Sequence, residues 1–269
     1  MEGTESAEEV AIIERALKYP YYRPPESFTF ANGTYSNLEH VPDWSLYTPV
    51  LAIGSNAAPV QLKRKFGVTP QPVHVVKAHL AGMDVVYGVQ LSYYGSFAAS
   101  LVRSEGTVVD VFITWLNDEF LSYMHTTELG YKFCRLNDGH QVQIRLADGQ
   151  PLKRHVYAYV ARSGPLCLQL DGAPASTAVA ITDIKARGRI FPQRTQVQMQ
   201  HIVRFMVTVQ ENLSQFVLRN VRDEQRRKRI MHHLQQISGT APQKTPFELD
   251  KCWHLVQDLI PEQAQPNSA

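Results

Sequence analysis

The sequence predicts an α+β protein whose strands form a curved sheet or small barrel, with helices on its flanks. Four apolar segments rich in Val, Ile, Tyr and Phe follow one another without a helical pattern between them: Val73–Leu80, Met83–Leu91, Phe97–Val102 and Thr107–Leu116. Consecutive strands without connecting helices favour antiparallel pairing. Apolar residues at steps of three and four appear before and after this block, and they predict the flanking helices.

The composition is that of an ordinary globular chain of 269 residues, with 44% apolar and 19% charged residues. A formal charge of +2 calls for no polyanionic partner, and no apolar run is long enough to span a bilayer. The first residues, MEGTESAEEV, are acidic, whereas a signal peptide begins with basic and then apolar residues. Three scattered cysteines predict neither a disulfide framework nor a thiolate metal cluster: Cys134, Cys167 and Cys252. We therefore expect a cytoplasmic protein that binds neither nucleic acid nor a membrane.

Residues 1–44 predict a helix followed by an irregular segment. Ser6 and Glu9 have the spacing of a capping box, and Pro20 ends the helix that follows them. Tyr21–Trp44 is rich in proline and aromatic residues and shows little periodicity apart from the turn signal Asn32-Gly33. We interpret this segment as a wrap that its aromatic side chains hold against the core.

The next stretch predicts a strand, a tight loop and a helix. Val50–Ile53 is a short apolar run typical of a buried strand, and Gly54-Ser55-Asn56 interrupts it. Pro59 suits the first position of the following helix, where its missing N–H is not needed. Such a loop directs backbone N–H groups into a small space near the positive end of the helix dipole. It is suited to hold a carboxylate or a polarised carbonyl oxygen.

The predicted helix after the loop is amphipathic. Leu62 and Phe66 form its apolar stripe, while Lys63–Lys65 are expected to face solvent. A second helix is predicted to begin at Asn117 or Asp118 and to end at Gly130. Three further strands follow, with Asp-Gly turns at 138–139 and 148–149: Tyr131–Leu136, Gln141–Leu146 and Lys153–Ala161.

The last third of the chain predicts helices. Ser163–Arg189 is rich in small residues and reads as a connection. From Thr195 a single long amphipathic helix is predicted by a stripe of Ile202, Met206, Val209, Leu213, Val217 and Val221. The basic run Arg226–Arg229 is expected at its carboxyl end. A final helix is predicted to start at Thr245-Pro246-Phe247-Glu248 and to bury Leu249, Cys252, Trp253, Val256 and Ile260.

The segment AIGSNAAPVQLKRKF at 52–66 resembles the signature loop and helix of the gamma-glutamylcyclotransferase family, in which a Tyr-Gly-Ser-Asn loop precedes a similar helix. Weaker likeness extends through LVRSEG at 101–106, VFITWL at 111–116 and MHTTELGY at 124–131. The resemblance covers roughly Tyr47–Tyr159. It departs from the family at Ile53, where the family usually has Tyr.

The resemblance implies a small mixed or antiparallel β-barrel of the gamma-glutamylcyclotransferase type, with flanking helices and a helical C-terminal extension. The corresponding segments are an N-terminal helix and wrap at 1–44, a barrel core at 45–165, a connector at 166–194, a helical region at 195–262 and a disordered tail at 263–269. A homodimer through the C-terminal helices is compatible with this division.

The resemblance also implies an activity. An enzyme of this family cleaves a small-molecule γ-glutamyl amide by attack of its own α-amine, releasing 5-oxoproline and an amine without a metal or organic cofactor. Glu128 matches the general acid/base of the family. The implied substrate-binding residues are Ile53, Gly54, Ser55, Asn56 and Tyr131.

Two features of its surroundings independently favour Glu128 as a proton acceptor. The residue is expected in the last turn of its helix, where the negative end of the dipole disfavours another negative charge. Met124, Leu129 and Phe133 are apolar neighbours that would remove water from it. Both effects favour the protonated form of a carboxyl group, as a general base requires.

Other interpretations of these residues are weaker. His125 and Glu128 form an H-x-x-E pair that faces one side of a helix, but two ligands do not make a metal site. Ser55 with His125 lacks the second glycine of a nucleophile elbow. Tyr94-Gly95-Ser96 copies the family's loop but precedes a strand, so we interpret it as a turn. The run Arg226–Arg229 has no interleaved aromatic residues and is expected to be a solvated helix end.

A different class of function remains open on the sequence. A binding or scaffold protein with the same core and no activity is the alternative to an enzyme. Ile53 favours it, because Ile supplies no hydroxyl where the family has one.

Overall fold

The computed structural model describes residues 5–38, 42–137, 142–170, 176–208, 210–238 and 252–259, and within them it is a mixed α+β protein. These residues contain six helices: α1 Ala7–Leu17, α2 Pro59–Phe66, α3 Asp118–Thr127, α4 Gln196–Val207, α5 Leu213–Arg222 and α6 Glu224–Ser238. None of these helices has the length and apolar character that crossing a bilayer requires.

The first eight strands, in chain order, are β1 Phe28–Ala31, β2 Thr34–Asn37, β3 Thr48–Ala52, β4 Val73–Leu91, β5 Phe97–Leu116, β6 Tyr131–Leu136, β7 Gln143–Leu146 and β8 Tyr157–Ala161. The others are β9 Cys167–Leu168, β10 Thr177–Ala178, β11 Ala180–Ile181, β12 Ala186–Arg187, β13 Gln193–Arg194 and β14 Trp253–Asp258.

The main sheet is open, so the predicted barrel is wrong for the described part of the chain. Its strands follow the order β13-β11-β4-β5-β3-β8-β6-β14, and the two ends of this path do not pair. Only β3 with β8 and β11 with β13 are parallel among the described pairs. The expectation of a mixed, mostly antiparallel sheet in an α+β protein is confirmed.

In the structure, the four predicted central strands are joined in pairs into two long strands, β4 and β5. Gly82 and Gly106, which separate the predicted pairs, have φ of 82° and 77° and lie inside the strands. Glycine adopts positive φ without a steric penalty, so a strand continues through a local irregularity there. The glycines mark bends within strands instead of strand ends.

The chain groups into two compact units, each built from segments that are distant in sequence. One unit contains the described parts of Met1–Tyr21, Gly82–Val109 and Ser163–Phe247. The other contains the described parts of Tyr22–Ala81, Asp110–Arg162 and Glu248–Ala269. Strands β4 and β5 therefore contribute one half to each unit.

In the first unit, α1 forms as its capping box predicts, since the Ser6 hydroxyl accepts from the Glu9 N–H and the Glu9 carboxylate from the Ser6 N–H. It packs on α5 through Ile13, Ala16 and Val217. The predicted turn at Tyr94-Gly95-Ser96 is confirmed between β4 and β5, where the Gly95 N–H donates to the Ser92 carbonyl oxygen over 2.9 Å.

The single long helix predicted from Thr195 is three helices, α4, α5 and α6. Asn212 forms a capping box with Gln215 and starts α5, and Asp223 accepts from the Arg226 N–H at the start of α6. Caps satisfy backbone groups that a continuous helix would bond internally, so the chain breaks where they occur. Val209, a member of the predicted stripe, lies outside the described residues.

The basic run Arg226–Arg229 is near the beginning of α6 and not at a carboxyl end as predicted. Arg227 instead donates to the carbonyl oxygens of Asn220 and Val221, in the last turn of α5, over 2.7 and 3.0 Å. A cation therefore does complement the negative end of a helix dipole, but the helix is the preceding one.

In the second unit, the segment predicted as irregular contains the hairpin of β1 and β2. Asn32 and Gly33, with φ of 52° and 72°, form its turn, as expected for an Asn-Gly pair between strands. Strand β3 lies between β5 and β8. It delivers Val50 and Ala52 to a core that also contains Met124 of α3.

The C-terminal helix predicted from Thr245 is contradicted where the chain is described, because Trp253–Asp258 is strand β14, paired antiparallel with β6. Trp253 is buried and the remaining residues of β14 are exposed. An edge strand of a sheet has free backbone groups that recruit another extended segment. That pairing prevailed over the helical spacing of Cys252, Trp253 and Val256. Outside the described residues lie 245–251, where the helix was predicted to begin, 138–141, which include the predicted turn at 138–139, and 260–269, which include the predicted tail.

Candidate active site

The loop after β3 forms the first wall of the candidate site. Ile53 is buried, Ser55–Ala57 makes one turn of 3-10 helix, and α2 begins at Pro59. The first N–H groups of a helical turn have no intrahelical acceptor. Those of Ser55 and Asn56, next to that of Gly54 at the N-cap, are therefore donors that this loop offers to an oxygen.

Glu128 lies where α3 ends, and the structure brings it to the loop. Helix α3 starts as predicted, with the Asn117 side chain accepting from the Phe120 N–H over 2.8 Å. It ends at Thr127, so Glu128 is the C-cap residue and not part of the last turn. The Asn56 side-chain amide donates to Glu128 Oε1 over 3.1 Å. The loop and the carboxylate thus meet although 72 positions separate them.

Lys65 is the second partner of Glu128, and the prediction that it faces solvent is wrong. Its Nζ lies 2.5 Å from Glu128 Oε1, and the Lys65 and Glu128 side chains are only 7% and 11% exposed. Lys65 is buried because α2 packs on α3, where the rings of Phe66 and Phe120 lie 4.4 Å apart. The site therefore contains a buried pair of opposite charges.

Both described hydrogen bonds to the Glu128 carboxylate fall on one oxygen. Oε1 accepts from the Asn56 amide and from the Lys65 ammonium. Within the described residues Oε2 has no such partner. The carboxylate is therefore held by one oxygen and presents the other.

His125 and Tyr159 form a neutral pair beside Glu128. The Tyr159 hydroxyl lies 3.0 Å from His125 Nδ1. Burial lowers the pKa of His125, while burial and the charge of Glu128 raise the pKa of Tyr159 above its ordinary range. At neutral pH the pair is therefore an uncharged imidazole and an intact phenol.

These contacts bear on two other interpretations of the same residues: a metal site at His125 and Glu128, and a nucleophilic Ser55 with His125 as its base. His125 Nδ1 is engaged by Tyr159, and the Glu128 carboxylate by Asn56 and Lys65. Within the part of the chain that the structure describes, no three His, Cys, Asp or Glu side chains are grouped to hold a metal ion.

The other residues predicted for the site are placed as follows. Tyr131 is half-buried against the same core, and its N–H donates to the Glu128 carbonyl oxygen over 2.9 Å. Tyr87 and Tyr94 lie on or beside predicted core strands, and a phenol from either would replace the one missing at Ile53. Both residues belong to the other compact unit. The Tyr87 hydroxyl donates to the Arg194 carbonyl oxygen.

Two residues of this constellation were missed by sequence reasoning, Lys65 and Tyr159. Lys65 sits in a run of three basic residues and gave no signal of burial. Tyr159 occupies an ordinary position in a strand, and its proximity to His125 arises only from the pairing of β8 with β6.

No protein-family model and no curated protein match the chain. Among solved structures, the chain is similar to the solution structure of a protein from Arabidopsis thaliana, with 21% identity and a TM-score of 0.33. The similarity covers 43% of this chain and 69% of the Arabidopsis one.

Mild acid should destabilise the protein through His125. Burial lowers the pKa of its imidazole below the ordinary value of 6.5, so the unfolded state binds more protons as the pH falls past 6.5. The stability present above that pH is lost as the pH falls through the lowered folded-state pKa.

His125→Asn should flatten the fall in the free energy of unfolding from about pH 6.5 to 5, measured by urea titration. His233→Asn, at an exposed histidine of α6, is the matched control and should leave the slope unchanged. An unchanged slope in the His125 variant would contradict the prediction.

Proposed function

We propose that the protein is a gamma-glutamylcyclotransferase-like enzyme that converts a γ-glutamyl amide into 5-oxoproline and a free amine. The observation that carries the proposal is the contact between Asn56 of the loop and Glu128, at 3.1 Å. The loop and the carboxylate match the same family at separate places in the sequence, and their meeting in one buried site supports a shared role.

The proposed reaction is intramolecular. Glu128 accepts a proton from the substrate's α-ammonium, and the freed amine attacks the γ-carbonyl carbon to form the new C–N bond. The carbonyl electron pair moves onto oxygen. When the carbonyl re-forms, the original amide C–N bond breaks and Glu128 returns its proton to the departing amine. The second proton lost by the ring nitrogen also ends on that amine, which leaves as an ammonium ion.

The loop supplies the electrostatic part of the proposal. The N–H groups of Gly54, Ser55 and Asn56 would hold the developing oxyanion, as preorganised donors do in acyl-transfer enzymes. Because nucleophile and electrophile belong to one molecule and close a five-membered ring, proximity supplies much of the rate enhancement. The proposed steps use no metal or organic cofactor.

Incubation of the pure protein with γ-glutamyl amides tests the proposal. We expect 5-oxoproline and the free amine in equal amounts, detected by mass spectrometry. The variant Glu128→Gln, prepared in parallel, excludes a contaminating activity. Absence of 5-oxoproline from a panel covering γ-glutamyl peptides and γ-glutamyl amines would contradict the enzyme proposal.

A binding protein without activity is the second candidate, and two observations favour it. Ile53 offers no polar group at the loop, and Lys65 already occupies one oxygen of Glu128 over 2.5 Å. Binding of a γ-glutamyl amide in calorimetry without formation of 5-oxoproline would favour this candidate.

A further inference from the structure

The Lys65 ammonium has an unusual set of acceptors. Its three described contacts are Glu128 Oε1 at 2.5 Å, Thr127 Oγ1 at 2.8 Å and Met124 Sδ at 3.0 Å. A thioether sulfur is a weak acceptor. Because the side chain is only 7% exposed, water does little to compensate. A buried cation is therefore left with one poor hydrogen bond.

The charge of the pair limits what can bind beside it. Lys65 and Glu128 together are neutral and almost buried. A ligand ammonium that reaches Glu128 would place two cations around one carboxylate, and a buried uncompensated charge is strongly unfavourable. A ligand that brings its own negative charge close to its ammonium removes this excess.

We propose that Lys65 binds the α-carboxylate of the ligand, so that the site selects an α-amino acid head group. The ligand ammonium lies on Glu128 and its carboxylate on Lys65, which gives two charge-assisted contacts of opposite sense. An α-amino acid carries both groups on one carbon atom and therefore matches two opposite charges in direct contact. This inference rests on the proposed function and adds the residue that determines its substrate class.

The contact to Met124 identifies which N–H of Lys65 donates to the ligand. The hydrogen directed at the sulfur turns to a carboxylate oxygen, which is a far better acceptor. The bond to Thr127 Oγ1 keeps the ammonium in place meanwhile. Oε2 of Glu128, which has no partner among the described residues, receives the ligand ammonium.

The test compares ligands that differ only in the α-carboxylate. L-glutamine and 4-aminobutanamide share the amine and the γ-amide, and only L-glutamine has the carboxylate. Wild type should bind L-glutamine more tightly by roughly 10- to 100-fold, the value of a charge-assisted hydrogen bond. Calorimetric Kd values report this preference.

Lys65→Met should reduce the preference to about onefold, because the carboxylate then has no cation to contact. Lys63→Met removes the same charge from an exposed position of α2 and should keep the full preference. Lys65→Gln retains a donor for Glu128 without the charge, and it replaces the Met variant if that one does not fold. Its preference should fall at least about tenfold.

Retention of the wild-type preference in the Lys65 variants, or its absence in wild type, would overturn the assignment of Lys65. Because the readout is binding, the result is independent of turnover. A protein that prefers L-glutamine through Lys65 but forms no 5-oxoproline would refute the proposed reaction and keep the inference. Failure of both ligands to bind wild type would overturn the inference.

Discussion

Replacing Glu128 by Gln is expected to lower kcat for 5-oxoproline formation by about 10²–10⁴, the usual effect of removing a positioned general base. The amide keeps the shape of the side chain and its acceptor for the Asn56 amide, but it cannot accept a proton from the α-ammonium. Substrate binding should weaken less than turnover. Turnover within about threefold of wild type would exclude Glu128 from this role.

The same substitution should also reduce stability. Gln leaves the Lys65 ammonium buried without its counter-charge, and breaking a buried ion pair in this way costs about 3–5 kcal/mol. Glu119→Gln makes the same change at an exposed position of α3 and controls for charge.

The double variant Glu128→Gln with Lys65→Met separates the two effects. It should recover much of the lost stability, since no unpaired charge remains, and it should stay inactive. Urea titration and the 5-oxoproline assay measure the two properties on the same samples. Recovery of activity in the double variant would contradict the proposed role of Glu128.

Replacing Arg189 by Met is expected to lower the free energy of unfolding by about 3–5 kcal/mol, because it leaves the Asp84 carboxylate buried and unpaired. Arg189 donates to both oxygens of Asp84, over 2.9 and 2.8 Å, and the two side chains are 5% and 0% exposed. Asp84 also accepts from the Val85 N–H over 2.7 Å. The pair is the most deeply buried of the described ion pairs.

Lys18→Met is the matched control for the Arg189 variant. Lys18 and Glu14 form an ion pair of similar length, 3.0 Å, but their side chains are 65% and 55% exposed. Exposed pairs at this helical spacing contribute only about 0.3–0.5 kcal/mol. Urea titration of both variants should therefore give very different losses. A loss below about 1 kcal/mol for Arg189→Met would show that the pair is solvated in solution.

The elements that the sequence predicted well are those with local chemical signals. The capping box at Ser6 and Glu9, the Asn117 cap and Pro59 at the first position of α2 each start a helix where the sequence placed it. Caps and turns satisfy backbone groups within a few residues, so they act nearly independently of the rest of the chain.

The errors concern elements whose partners are distant in sequence. The sequence predicted that strands end near Gly82 and Gly106. Pairing with neighbouring strands instead extends β4 and β5 past these glycines. The segment around Trp253 has helical spacing, yet the open edge of β6 makes it a strand. Pairing energy from another part of the chain exceeded local preference in each case.

At the candidate site, the chemical groups could be predicted from local sequence: the Gly54–Asn56 loop between a strand and a helix, and an acidic residue where α3 ends. How Glu128 is held could not be predicted, because it depends on packing between segments that are distant in sequence. Packing of α2 on α3 buries Lys65 against Glu128, and the pairing of β6 with β8 places Tyr159 beside His125. Burial and charge pairing depend on which surfaces meet, and a sequence of three consecutive basic residues does not specify which of them will lie inside.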